Sequence, residues 1–322
     1  MLQALKSGFR TSTVYILVFS LASLTLFYCV SCNAQFNFTP LNINYNWNTG
    51  VVKILNTVLF LTATFILFLF TAHDDLIKKQ NFIPFTLYVI LQPLAMNQTG
   101  LDFNIIHQIL LLWALRLLFN TYRKDKQERR LFDAGFFLGI DVLISQKGLG
   151  MLLFFLIILN QLRAIKIREW VAVAFGYFMP LVIYITTKWI LNEQFLLFNF
   201  FNGNFFWPQR FDFTSPLLYT QILLLCISIL SFGFVFKTKS GVYAKQHTFH
   251  QALILMIIWS TILCFSTPNS PFNWLAYNLF LLCFCVGEYI ALSKREAFWN
   301  SALHFIILCI YAETLQDRWH WF

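Results

Sequence analysis

Charge is scarce in this 322-residue chain: Asp, Glu, Lys and Arg together make up 11% of it, against about 25% in a typical soluble protein. Acidic residues are the scarcer sign, with 14 Asp and Glu facing 23 Lys and Arg. Twelve glycines and eight prolines are too few for a collagen or a Gly/Pro-rich disordered chain. Catalytic signatures are missing as well. There is no HExxH, no GxSxG with partners, no P-loop and no dinucleotide-binding glycine pattern, so none of the chemistry those motifs carry is indicated. Cysteine gives no disulfide framework. Of seven cysteines, Cys226, Cys264, Cys283, Cys285 and Cys309 lie inside apolar runs and read as small core residues. Cys29 and Cys32 form a CxxC without a redox or haem context and read as helix-face residues.

What the chain does have is apolar mass. It is 58% hydrophobic and 19% aromatic, with 39 Phe, 12 Tyr and 10 Trp. A soluble fold has nowhere to bury so much apolar surface, which leaves an all-α polytopic transmembrane bundle. A spanning helix needs about 20 apolar residues. Candidate runs fall at 14–32, 51–72, 82–96, 104–121, 132–146, 149–162, 170–190, 215–236, 249–266, 273–292 and 299–313. The expectation is therefore about eleven spans (10–12) in one transmembrane domain, residues 1–322. The runs at 82–96, 132–146 and 149–162 are short and suit bent or re-entrant hairpins packed against protein.

The net charge of +9 would suggest nucleic acid in a soluble protein. Here the basic residues occupy short loops on alternate sides of the spans. Lys6, Arg10, Lys78, Lys79, Arg123, Lys124, Lys126, Arg129, Arg130, Arg163, Lys166, Arg168, Lys237, Lys239, Lys245, Lys294 and Arg295 share one side, 17 of the 23. The opposite loops hold Lys147, Arg210 and Arg318. The positive-inside rule makes the first side cytoplasmic, with the N-terminus inside and, for eleven spans, the C-terminus outside. A bacterial inner membrane suits this pattern. The basic start, apolar stretch and Cys-Val-Ser-Cys at 29–32 are faintly like a secretory or lipoprotein signal, but the stretch is long enough to span and Cys29 stands where a lipobox places Leu.

Two outer loops exceed a simple turn. Residues 33–50 are rich in Asn and aromatics with no acid, and 191–214 are dense in aromatics with few charges. Both read as interfacial segments. Ionisable residues within spans are costly and mark sites by default. Arg116 lies inside one span, with Asp133 and Asp141 on the next, and an Arg116 pairing with either Asp across antiparallel neighbours is expected as a buried ion pair. The eight-residue spacing of the two carboxylates puts both on one helix face. No metal is expected. Only His247 and His250 lie close in sequence among six histidines, and a cluster of these with His73 and Asp74 has no geometric support.

The central third carries a resemblance. Segments 132–140 (FDAGFFLGI), 168–170 (REW) and 176–180 (GYFMP) resemble an uncharacterised polytopic integral-membrane family of Bacteroidota. Ala134, Gly135, Gly139, Lys147 and Gly148 stand where the membrane core of GT-C glycosyltransferases has an A-G-x-x-x-G helix and an outer Lys-Gly turn. The second resemblance implies a polyprenyl-phosphate sugar donor and an acidic catalytic residue in the first outer loop. Residues 33–50 contain no such acid. The resemblance then leaves Asp102 as the catalytic candidate, with Lys147 and Arg210 contacting a lipid phosphate.

These observations lead to three readings. The first is a non-catalytic or accessory inner-membrane protein that binds lipid, including polyprenyl-phosphate, or membrane-protein partners on a GT-C-like helical core, without a cofactor. The second is a GT-C-type glycosyltransferase or lipid-linked sugar enzyme. A transporter ranks third, since no inverted repeat is visible.

Overall fold

The computed structural model describes residues 36–38, 43–45, 49–73, 83–95, 103–122, 124, 126–144, 150–162, 166–190, 244–265 and 273–292. It contains eight helices and one short ribbon: α1 (Thr49–His73), α2 (Ile83–Ala95), α3 (Phe103–Phe119), α4 (Glu128–Ile144), α5 (Met151–Leu162), α6 (Ile167–Ile190), α7 (Ala244–Phe265) and α8 (Asn273–Leu292). These fall on eight of the eleven apolar runs. The runs at 14–32, 215–236 and 299–313 lie outside the described residues. One helix, α6, is long and apolar enough to cross a membrane. Shorter apolar stretches lie within α1, α3, α5 and α8.

The ribbon departs from the expected loop at 33–50. Strands β1 (Phe36–Phe38) and β2 (Ile43–Tyr45) pair antiparallel, with Phe36 opposite Tyr45 and Phe38 opposite Ile43. The alternation Phe-Asn-Phe and Ile-Asn-Tyr has the period of a strand, and Pro40 in the link disfavours continuing it.

Helices α1 to α6 run alternately up and down, α7 and α8 are antiparallel, and specific contacts fix which ends meet. At one end Phe70 of α1 touches Phe119 of α3 and Phe284 of α8, while Phe119 stacks on Phe249 of α7 at 4.5 Å. Pro84 of α2 lies against Gly287 of α8 at the same end. At the other end Trp259 Nε1 of α7 donates to the Gly150 carbonyl at 2.9 Å, and its indole stacks on Phe154 of α5. The first end also carries basic residues: Lys124 and Lys126 between α3 and α4, Arg129 and Arg130 in the first turn of α4, Lys166 before α6 and Arg168 in its first turn. We call it the basic end.

The closest packing is between α4 and α6, which lie parallel with α5 returning between them in sequence. A Cβ on Gly135 would fall on the Val173 carbonyl oxygen, one on Gly139 on the Tyr177 carbonyl oxygen, and one on Gly176 on the Phe132 carbonyl oxygen. In each case the nearest obstacle is a backbone carbonyl oxygen. The absence of side chains at 135, 139 and 176 therefore sets the distance between the two helices, as small residues spaced by four do in membrane bundles. Pro180 lies within α6 and packs its ring over Gly139.

The surface of the described helices is apolar in long stripes. On α6, Ile167, Val171, Phe175, Phe178, Met179, Val182 and Ile183 are exposed, and on α1 Val51, Ile54, Val58, Leu61 and Phe65. Buried positions on the same helices include Asn56, Thr64 and Glu169.

Candidate functional site

The buried polar side chains are sorted by depth. Asn56 on α1, Tyr88 and Gln92 on α2, His107 and Gln108 on α3, Asp141 on α4 and Asn278 on α8 are all fully buried. Each lies within about two turns of the end of its helix opposite the basic end. Toward the basic end the polar burials are of another kind. Thr64 donates to the Phe60 and Leu61 carbonyls and Thr121 to the Leu118 carbonyl, satisfying themselves on their own chain. Glu169 stands in the first turn of α6, where the helix dipole favours a carboxylate.

Two contacts organise the polar end. His107 Nδ1 and Asp141 Oδ1 share a hydrogen at 2.5 Å, with the side chains 1% and 0% exposed. The Tyr88 hydroxyl donates to Gln108 Oε1, also at 2.5 Å. Because His107 and Gln108 are adjacent, α3 links both pairs. One residue reaches toward α4 and the next toward α2. Tyr177 on α6, 1% exposed, lies within electrostatic reach of Asp141. A polar seam thus crosses α2, α3, α4 and α6 in a core made mainly of Leu, Ile, Val, Phe and Ala.

The seam is not saturated. Among the described residues, Asp141 Oδ2 has no hydrogen-bond partner, and neither the oxygen nor the nitrogen of the Gln92 amide has one. Gln92 follows Tyr88 by four residues, so the two share a face of α2. Such atoms are rare in native interiors because each forgoes the bonds it would make with water.

Asp141, one of the two carboxylates expected beside Arg116, has another partner. Asp141 is bound to His107, not to Arg116. Antiparallel packing of α3 on α4 explains this. The register that sets His107 beside Asp141 carries Arg116, nine residues on, about 13 Å toward the basic end. There the Arg116 guanidinium lies 5.6 Å over the Trp113 ring, and Trp113 meets Phe137 of α4 edge-on at 6.3 Å. Asp133 is half-buried on α4. Asp102, Lys147 and Arg210 lie outside the described residues, as do the ligands His73, Asp74, His247 and His250 considered for a metal, as far as their side chains are concerned. Among the described residues no group of three His, Cys, Asp or Glu side chains could hold a metal ion.

His107 was the informative residue in the sequence. It lies inside the run 104–121, and an ionisable residue within a span is a site hypothesis with a partner to be named. Its spacing to other histidines, which is the signal for metal binding, says nothing about a carboxylate 34 positions away.

No family model matches this chain, and no curated protein or solved structure is similar to it.

Proposed function

We propose that this chain is a multi-pass helical protein of a bacterial inner membrane, working as a non-catalytic or accessory scaffold that binds lipid or membrane-protein partners. One observation carries the reading: apolar stripes face outward while the polar groups are turned inward and gathered at one end. Water as the surrounding solvent would favour the reverse arrangement. Lipid makes it favourable, since a hydrocarbon exterior costs nothing there and every polar group must be satisfied internally or near the headgroups. The basic residues at the opposite end match a cytoplasmic face with anionic lipid. On this reading the polar end of the core lies at the outer leaflet.

The experiment is recovery of the protein from its native membrane in a polymer-bounded lipid particle, followed by mass spectrometry of everything retained. The scaffold reading expects retained phospholipid, with or without a stoichiometric membrane-protein partner. Retention of a polyprenyl-phosphate sugar would replace it with the transferase reading and direct attention to Asp102, Lys147 and Arg210. Release of the chain into the aqueous phase by alkaline carbonate, with no lipid retained, would overturn membrane residence altogether.

A further inference from the structure

The contact between α4 and α6 fixes how the faces of these two parallel helices divide. Gly135 lies beside Val173 and Tyr177, and Gly176 beside Phe132 and Phe136, so the first turns of the two helices stand level. Arg129 precedes Gly135 by six residues and Arg168 precedes Gly176 by eight. Those spacings carry Arg129 about 120° round α4 from the contact, and Arg168 about 80° round α6 in the opposite sense. On parallel helices that face each other, opposite senses lead to the same side. The two arginines therefore flank one side of the pair, about 3 Å apart in height. The same rotation puts Asp141 and Tyr177 together on the other side, in agreement with their electrostatic contact.

The arginine side faces outward. Arg129 and Arg168 are exposed. Beneath them Phe136 and Ile140 of α4 are half-buried, and Phe175 and Met179 of α6 are 69% and 46% exposed. Because the glycines let the backbones meet, these side chains wall a shallow apolar groove that runs from the arginines toward the opposite end. Neither arginine is held by an ion pair among the described residues, and Asp133, one turn on from Arg129, is half-buried. Cations in a first helical turn also oppose the helix dipole, so a nearby anion relieves both helices. The positive-inside rule accounts for basic residues at this end of the bundle. It does not account for two arginines set level at the head of one apolar groove.

We infer that the outward groove between α4 and α6 holds an anionic phospholipid, its phosphate clamped by Arg129 and Arg168 and its acyl chains laid along Phe136, Ile140, Phe175 and Met179. This deepens the scaffold reading and rests on it. Guanidinium forks match phosphate oxygens, and the apolar groove suits a lipid, not a free phosphate. A zwitterionic headgroup brings its own cation, which two arginines repel. A phosphatidylglycerol headgroup brings none. At the usual strength of a basic residue for an anionic surface, two arginines favour the anionic lipid by roughly ten- to thirtyfold.

The test is native mass spectrometry of the full chain in detergent, titrated with equal amounts of phosphatidylglycerol and phosphatidylcholine. The first lipid retained is expected to be phosphatidylglycerol, preferred about tenfold or more. Arg129→Gln with Arg168→Gln should abolish the preference. The control removes the same charge from the other side of the same two first turns, as Arg130→Gln with Lys166→Gln, and should keep the preference within about twofold. All four side chains are exposed, and circular dichroism checks that both variants are as helical as the wild type. An equal loss in both double variants would mean general surface charge and would overturn the site. Equal retention of the two lipids by the wild type would overturn it too, while leaving the scaffold reading standing. A chain that retains neither lipid would overturn both.

Discussion

Helix α4 is held by two neighbours in two ways. Against α6 it presents Gly135 and Gly139, and the nearest approach there is backbone on backbone. Against α3 it presents Asp141, and the contact is one short hydrogen bond between two buried titratable side chains. The glycine face depends on atoms being absent, and dispersion over many close contacts supplies its stability. The aspartate face depends on one partner being present. The first fixes where α4 sits. The second uses that position, because a carboxylate can be buried only if its neighbour is placed reliably enough to compensate it.

Breaking the glycine face should have the largest effect. Gly176→Leu puts a side chain where the Phe132 carbonyl and the Phe136 amide already stand, and neither can move without unwinding α4. The expected loss is roughly 5 kcal/mol or more, at the exceptional end for a single substitution, seen as aggregated protein on size-exclusion chromatography after detergent extraction. Recovery of a monodisperse, wild-type-like peak would show that α4 and α6 are not in backbone contact.

The aspartate face should break less severely, and in a way that can be repaired. His107→Leu strands the Asp141 carboxylate in an apolar core, at a cost of about 3–5 kcal/mol. Removing both partners, as His107→Leu with Asp141→Leu, should restore most of that stability, because replacing a buried pair by apolar groups of similar size is often neutral. The coupling is read from a double-mutant cycle of thermal or denaturant midpoints. If the double variant were as unstable as the two singles added together, the two side chains would not be compensating each other. No equivalent repair is available to Gly176→Leu, since its obstacle is main chain.

The same contrast governs what the sequence could disclose. Helix positions were legible from apolar run length alone, because each run is interrupted by charged or turn-forming residues; eight of the runs are helices here. Gly135 and Gly139 were legible as packing residues from their spacing, and Gly176 stood in a segment singled out with them. The partner of Asp141 was not. Local spacing says which face a residue occupies, but the match between His107 and Asp141 depends on the antiparallel register of α3 on α4. The connection 120–127 and the packing of both helices set that register, and a shift of two turns would have met the expectation of an Arg116 pair instead. Gln92 was invisible for a different reason. A glutamine near a helix end reads as an interfacial residue, and only the fold reveals that it is enclosed without a hydrogen-bond partner among the described residues. The ribbon at 36–45 was written in alternation over three-residue stretches, too short to compete with the loop reading.

Arg116 sharpens the comparison from the weak side. It is an ionisable residue inside a helix of the bundle, as His107 is, and by the general rule for membrane helices it should matter as much. Its surroundings differ. His107 is enclosed beside a carboxylate, whereas Arg116 is partly exposed in the last turn of α3, where the helix dipole favours a cation, with its guanidinium over Trp113. From that position its long side chain reaches toward the basic end. Arg116→Leu should therefore cost about 1 kcal/mol, the scale of a partly solvated cation–π contact, a few-fold less than His107→Leu measured under the same conditions. Lysine at this position keeps the charge and loses the planar stacking, so Arg116→Lys should fall between wild type and Arg116→Leu. A loss of about 3 kcal/mol or more for Arg116→Leu would show a buried carboxylate against the guanidinium, with Asp133, the acid level with it on α4, as that partner. The ranking of the two substitutions thus reports directly on which end of the bundle needs its charge.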